Sequence, residues 1–301
     1  MVKVKNVVKK FGDNIAINNL SFELKKGDVT GLLGPNGAGK TTTMRMLVSY
    51  YFPNSGNIVI DNVDTQEDPI ATQQKIGYLP ENNPLYLDMY TVDYLSMTAK
   101  FYGIPQKNID KHIDEVAKST GITHKLTAKI NELSKGYKQR VGIAAALIHE
   151  PEIVILDEPT EGLDPIQREE IRKLIKEISK DKVILISTHV MQEVKAMCNR
   201  VIVINNGKLV TEGDPEKLSG RKTLQVKIEG IGIEKELTDL LQENEDYEIE
   251  DNRVKIKTVH IRSDRELRPE ISKLSRKNNW VIWEMIVEDA LEEVFRELKD
   301  T

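Results

Sequence analysis

Apolar and polar residues alternate along VKVKNVVKKF (2–11) and INNLSFELKKGD (17–28), the period-two pattern of half-buried strands, and the second run closes on a Gly-Asp turn. VTGLLG (29–34), EIVILDEP (152–159) and KVILIST (182–188) carry more continuous apolar runs, as strands buried on both faces do. Between the first two of these runs a helix is predicted from Lys40 to about Tyr51, FPNSG (52–56) reads as a turn and NIVIDN (57–62) as a further strand. From Tyr78 to about Glu150 the pattern turns mostly helical, and IQREEIRKLIKEISK (166–180) is amphipathic at helical spacing. RVIVINNGKLVTEG (200–213) reads as a hairpin on an Asn-Gly turn, and GDPEKL (213–218) as a short helix with Asp214 as N-cap and Pro215 in its first turn. Short apolar strands alternating with helices predict an α/β fold, with a mainly parallel sheet and an antiparallel β layer at its beginning.

Beyond Arg221 the character changes. TLQVKIEG, KELTDLLQEN, DYEIED, RVKIKTVH, RELRPEISKLSRKNN, WVIWEMIV and ALEEVFRELK follow one another as β-α-β-β-α-β-α, the order of a small split βαβ, ferredoxin-like α+β module. Two domains are therefore expected, 1–221 and 222–301, with a helical subdomain over about 82–150 in the first. In EDALEEVFREL (288–298) Asp289 is placed to cap a helix whose Leu291, Val294, Phe295 and Leu298 form one apolar stripe. The ionisable residues of this module assemble into no recognisable site, so it is expected to regulate or dimerise rather than catalyse.

Composition narrows the classes. The 301 residues carry a net charge of -5, so the basic excess of a nucleic-acid binder is missing. The one cysteine, Cys198, excludes an intrachain disulfide and suggests no Cys-based metal site. MVKVKNVVKKFGDN lacks the apolar core of a signal peptide, and no run approaches the ~20 apolar residues of a membrane span. The expectation is a soluble, cytoplasmic chain that meets a membrane only through a partner.

GLLGPNGAGKTTTMRML (31–47) then holds the first chemistry. Fixing a glycine costs backbone entropy, so the cluster calls for a loop whose backbone approaches something closely. Gly34, Gly39, Lys40 and Thr41 match G-x-x-x-x-G-K-[ST] between a strand and a helix. The loop Gly34, Pro35, Asn36, Gly37, Ala38 and Gly39, with Lys40, Thr41 and Thr42 opening the helix, is the candidate cradle for a nucleotide's triphosphate. Lys40 would reach the β- and γ-phosphates, and Thr41 would ligate Mg²⁺. In EIVILDEPT a buried strand delivers Asp157 and Glu158 to its carboxyl edge, where Asp157 suits Mg²⁺ and Glu158 suits a general base acting on water. LSKGYKQRVGIAAALIHEP (133–151) opens with Ser134 as N-cap and Gly136, a second anion site at a helix N-terminus. One P-loop does not need two phosphate sites; the economical solution is that this one completes the nucleotide of a second copy, and by itself the stretch reads equally as an ordinary capped helix.

LSKGYKQR resembles the LSGGQ-type signature of ABC (ATP-binding cassette) ATPases, with Lys135 and Tyr137 departing from the commonest form, and its place between the two phosphate motifs matches that family. The resemblance spans about residues 1–220. It implies that Phe11 is the aromatic residue stacking on adenine, that Asp164, closing EGLD, lies at a dimer interface, and that His189 in LISTH contacts the γ-phosphate. After KIGYLP the family usually has glutamine, contacting Mg²⁺ and the attacking water. Here Glu81 stands, implying a carboxylate ligand to the metal and a like charge near Glu158. Glu81, NNPLYLDMY after it, and the tail EDALEEVFREL resemble ABC-2-type exporter cassettes, notably the gliding-motility-associated group.

The implied function is an ATPase subunit that powers a separate polytopic membrane permease, as a homodimer with ATP at the interface, peripheral on the inner face of the cell membrane. Tyr78, Tyr86, Tyr90, Tyr94, Tyr102 and Phe101 suit either the core of the helical subdomain or an aromatic groove for the permease. The alternative, a soluble cassette acting on nucleic acid or ribosomes, typically carries a long coiled-coil insertion or two cassettes in one chain, and neither is present. Glu158 and His189 speak against a non-hydrolysing regulator.

Overall fold

The computed structural model describes residues 1–219, 222–241, 246–253, 256–263, 265–289, 291–292, 295–296 and 298. The chain forms two units, Met1–Asp214 and Pro215–Thr301. In chain order the first comprises β1 (Val2–Phe11), β2 (Asn14–Leu24), β3 (Val29–Leu33), α1 (Lys40–Leu47), β4 (Ser55–Ile60), β5 (Val63–Asp64), α2 (Pro69–Gln73), β6 (Ile76–Leu79), α3 (Thr91–Phe101), α4 (Gln106–Thr120), α5 (Lys135–Leu147), β7 (Ile153–Asp157), α6 (Pro165–Ile178), β8 (Val183–Thr188), α7 (Met191–Met197), β9 (Arg200–Asn205) and β10 (Lys208–Gly213).

A sheet of order β10-β9-β3-β8-β7-β6 has parallel neighbours from β9 to β6 and β10 antiparallel at its edge. A second sheet, β2-β1-β4-β5, is antiparallel. The apolar strands are buried on both faces, and their alternation divides the core. Val154, Leu156, Ile184 and Ile186 pack with the helical region, including Leu95, Ile113 and Ile143. Ile153, Ile155, Val183 and Leu185 pack with α1 and the antiparallel layer, including Met44, Val4 and Ile58. Because the strands run parallel, the turns after β3, β6, β7 and β8 all leave one edge of the sheet, which is where open α/β sheets bind ligands.

Two local expectations shift. The helix from Lys40 ends at Leu47 instead of near Tyr51, because Ser49 takes a left-handed backbone (φ 57) and the Tyr50 and Tyr51 amides turn back to the Arg45 carbonyl. Strand β6 extends to Leu79, into the stretch expected to be helical from Tyr78; four residues are too few for a periodic signal, and pairing with β7 decides them. The Asn-Gly hairpin forms as expected, with φ 48 at Asn206 and 72 at Gly207.

The second unit comprises α8 (Pro215–Ser219), β11 (Lys222–Glu229), α9 (Ile233–Leu240), β12 (Asp246–Arg253), β13 (Ile256–Ser263), α10 (Arg268–Asn278) and β14 (Val281–Asp289). Its sheet order is β12-β13-β11-β14 with every neighbour antiparallel, so β13 fills the gap between β11 and β12, as in a split βαβ module. Asp289 is the last residue of β14. Leu291 and Phe295 of the proposed stripe are buried and Leu298 is half-buried, while Val294 lies outside the described residues.

Candidate functional site

The loop between β3 and α1 owes its glycines to more than one cause. A Cβ on Gly34 would meet the Ile204 carbonyl oxygen at 2.5 Å, and one on Gly39 would meet Ile17 Cδ1 at 2.6 Å and Ala16 O at 2.9 Å. Those two positions are closed by the protein's own packing. At Gly37 a Cβ would meet nothing within 4 Å, but φ is +83, so there the left-handed backbone favours glycine. The hairpin turn braces the loop: Gly207 N donates to Ala38 O at 3.0 Å, and Asn18 N donates to Gly207 O at 2.9 Å. Lys40, 7% exposed, donates through Nζ to Gly34 O (2.8 Å) and Pro35 O (3.2 Å) and stands 3.6 Å from Glu158 Oε1.

Beyond β7, Ser187 at the end of β8 locks the acidic pair. Its Oγ donates to Asp157 Oδ1 at 2.5 Å and accepts from Glu158 N at 2.8 Å. Thr41 Oγ1 donates to the same Asp157 oxygen at 3.4 Å, and Asp157 Oδ2 is buried without a hydrogen-bond partner. Glu158 is held at φ 48, a left-handed backbone on a non-glycine residue and a feature that clusters at functional sites. His189 Nδ1 lies 3.0 Å from Glu158 Oε1. Burial raises the Glu158 carboxyl above its ordinary value; His189 and Lys40 oppose that push, and Glu161 adds to it. Glu161 thus adds a like charge beside Glu158 that the sequence had not marked.

Glu81 follows β6 and is carried on a segment anchored to α5. Asn83 Nδ2 donates to Lys138 O at 2.8 Å and to Gln139 Oε1 at 3.3 Å, and a Cβ on Gly142 would meet Asn83 Oδ1 at 2.3 Å. A cleft of about 550 Å³ gathers Asn36, Gly37, Gly39, Lys40, Thr41, Thr42, Glu81 and Glu158. It also takes in Asn14, Ile15, Ala16, Glu161 and Asn206, none of which the sequence had marked as a site residue, although Glu161 opens EGLD and Asn206 forms the hairpin turn. Phe11 does not line it: the ring is 42% exposed, lies edge-on to Tyr51 with centroids 5.0 Å apart, and pairs across the β1–β2 ladder with Asn14, which does.

Ser134, Gly136 and Asp164 meet elsewhere, in a cavity of about 510 Å³ shared with Tyr137, Arg140 and Gln167. Ser134 Oγ accepts from Tyr137 N at 3.4 Å and caps α5; Asp164 Oδ1 accepts from Gln167 N at 2.9 Å and caps α6. Within one chain, the two sets of motif residues therefore line separate cavities. The oxygen donors of the first cleft fit a hard divalent cation. Thr41, Glu81, Glu158 and Glu161 line the cleft, and the Thr41 hydroxyl links it to buried Asp157, whose other carboxylate oxygen has no hydrogen-bond partner.

A family model described as ABC transporter matches residues 17–161. The bacitracin transport ATP-binding protein BcrA of Bacillus licheniformis is 34% identical over 99% of this chain and 97% of its own length. The linearmycin resistance ATP-binding protein LnrL of Bacillus subtilis is 35% identical over 77% of this chain and 76% of its own. Among solved structures, cbiO1 from Clostridium perfringens, part of an ABC transporter complex, matches with a TM-score of 0.66 at 32% identity, covering 72% of this chain and 89% of that one. A dimeric ATP-binding cassette in a post-hydrolysis state bound to ADP and Pi matches with a TM-score of 0.65 at 27% identity, over 71% and 99%. A phosphate-type loop, an acidic strand end and a capped signature helix thus occur on a fold shared with cassettes, in a chain collinear with nearly all of BcrA: the protein belongs to the ABC transporter family of ATP-binding, ATP-hydrolysing cassettes.

Proposed function

We propose that this chain powers a polytopic membrane exporter, working as two copies that close around ATP. The observation that carries this is the separation of Ser134, Gly136 and Asp164 from the cleft of Lys40 and Glu158: each chain holds both halves of a nucleotide site but cannot join them by itself. Lys40, fixed by two loop carbonyls, offers its ammonium to the phosphates, and the loop amides at the N-terminus of α1 add to that positive field. Phe11 stacks on adenine beside the cleft. Mg²⁺ would be held by Thr41, Asp157 and Glu81, and when bound it neutralises charge on the phosphate oxygens. Glu158, ionised, takes the proton of the attacking water, and His189 holds its Oε1 in place.

The exporter reading draws on the relatives, whose printed names speak of bacitracin transport, linearmycin resistance and Nod factor export. It also draws on the helical region, where Tyr86 (61%), Tyr90 (45%) and Phe101 (80%) are exposed while Tyr94 and Tyr102 pack against the core. The exposed rings suit a helix of the permease, because aromatic side chains bury much area at low entropic cost. Among the described residues no helix is long and apolar enough to cross a membrane, so contact with the inner face of the cell membrane would run through that partner. The second unit serves regulation or pairing. The finer kinship, to gliding-motility cassettes, rests on Glu81, the segment after it and the tail EDALEEVFREL. The test is affinity purification of the tagged chain from solubilised membranes: a polytopic protein should co-purify in stoichiometric amount, and recovery of the chain without one, in every detergent tried, would refute the exporter reading.

A further inference from the structure

Helix α7 brings a carboxylate, Glu193, into the interior at 3% exposure. A buried carboxylate is costly unless its oxygens find donors. Both do. Oε1 accepts from the Thr160 hydroxyl, and Oε2 accepts from Thr188 Oγ1 at 2.7 Å. Thr188 Oγ1 accepts in turn from Val190 N at 3.0 Å, so its proton is directed to the carboxylate. Thr160 and Thr188 are themselves 2% and 0% exposed, which shields the bridge from water.

The two ends of this bridge lie where hydrolysis is organised. Thr160 stands on the turn that begins with Glu158, and Thr188 directly precedes His189. Glu158 and His189 are the hydrogen-bonded pair, 3.0 Å apart. Ser187 pins β8 to β7 directly, through Asp157 Oδ1 and Glu158 N; Glu193, on α7, ties Thr188 at the end of β8 to Thr160 on the turn after β7. With the lower pin alone, each segment could swing on its strand end. With both, the turn that carries Glu158 and the strand end that carries His189 are tied at two levels. We infer that Glu193 is a positioning residue for hydrolysis, holding the Glu158 and His189 segments in register through Thr160 and Thr188. The inference rests on the reading of Glu158 as the base.

The test uses the full chain, measuring kcat at saturating Mg-ATP and ATP affinity by equilibrium binding. Glu193→Gln, Thr160→Val and Thr188→Val should each lower kcat about 10- to 100-fold, the loss typical of a misplaced reacting group, with ATP affinity within about twofold of wild type. Thr160→Ser and Thr188→Ser keep the hydroxyls and should keep wild-type kcat. Wild-type kcat in folded Glu193→Gln or in the valine variants, or a parallel loss of ATP affinity, would overturn the inference. Should Glu193→Gln fail to fold, the valine and serine pairs decide. Wild-type turnover by Glu158→Gln itself would instead sink the reading of the base, whereas an inactive Glu158→Gln beside a fully active Glu193→Gln would sink the positioning role alone.

Discussion

Opposing effects meet on the carboxyl group of Glu158. Burial favours its neutral form and raises its pKa from the ordinary 4.5, His189 and Lys40 favour the carboxylate, and the like charge of Glu161 sides with burial. The net shift is upward. A base works only when deprotonated, so activity should rise with pH through this raised pKa, and the acid limb of the ATPase profile should lie above the ordinary glutamate value. Glu161→Gln removes one upward push and should move that limb to lower pH; superimposable profiles for wild type and variant would show that Glu161 does not act on the base. Glu81 poses a different question, since the family's usual residue there is the amide. If its oxygen is what matters to Mg²⁺, Glu81→Gln should retain substantial ATPase activity and Glu81→Ala should lose much more, because hard cations accept either oxygen. Equal rates for all three proteins would remove Glu81 from the metal site.

The strand-to-helix loop shows how an element answers to its neighbours. Gly34 is flanked by the Ile204 carbonyl of β9, and the Gly207 turn donates to Ala38 from the other side. The loop is therefore braced by β9 and the hairpin that follows it before any ligand arrives. Gly34→Ala should lower the stability of the nucleotide-free chain by ~1–3 kcal/mol, the usual cost of overpacking, because the clash is with backbone. Thermal or denaturant unfolding measures it. A Gly34→Ala chain as stable as wild type, yet unable to bind ATP, would return the reason for this glycine to the phosphates.

For the molecule as a whole, the decisive feature is incompleteness. Ser134, Gly136 and Asp164 face a cavity of their own, away from Lys40 and Glu158. A second chain supplying that cavity to bound ATP would complete the site, and blocked hydrolysis should then trap the pair. Glu158→Gln, unable to take a proton from water, should elute as a dimer in size-exclusion chromatography with Mg-ATP and as a monomer without it. A variant that binds ATP but stays monomeric at every accessible concentration would count against the shared site.

Much of this was legible along the chain because phosphate and metal chemistry demand particular residue types within a few positions of one another. Gly34 to Thr42, Asp157 with Glu158, and Ser134 with Gly136 each lie on one continuous stretch, and an Asn-Gly pair between apolar runs suffices to place the hairpin at residues 206 and 207. Much of the strand-helix order was legible for the same reason, since hydrophobic period is a local property, but the short elements β5, α2, β6 and α7 were not. What crosses the chain was not. Glu161, Asn206 and Asn14 to Ala16 reach the cleft, Asn83 reaches α5, and Glu193 joins Thr160 to Thr188. None of these follows from a motif; each depends on which strands become neighbours. Parallel pairing of β3, β7 and β8 sets their ends side by side, and burial then favours partners for the polar groups there, whatever their distance along the sequence; Asp157 Oδ2 is an exception.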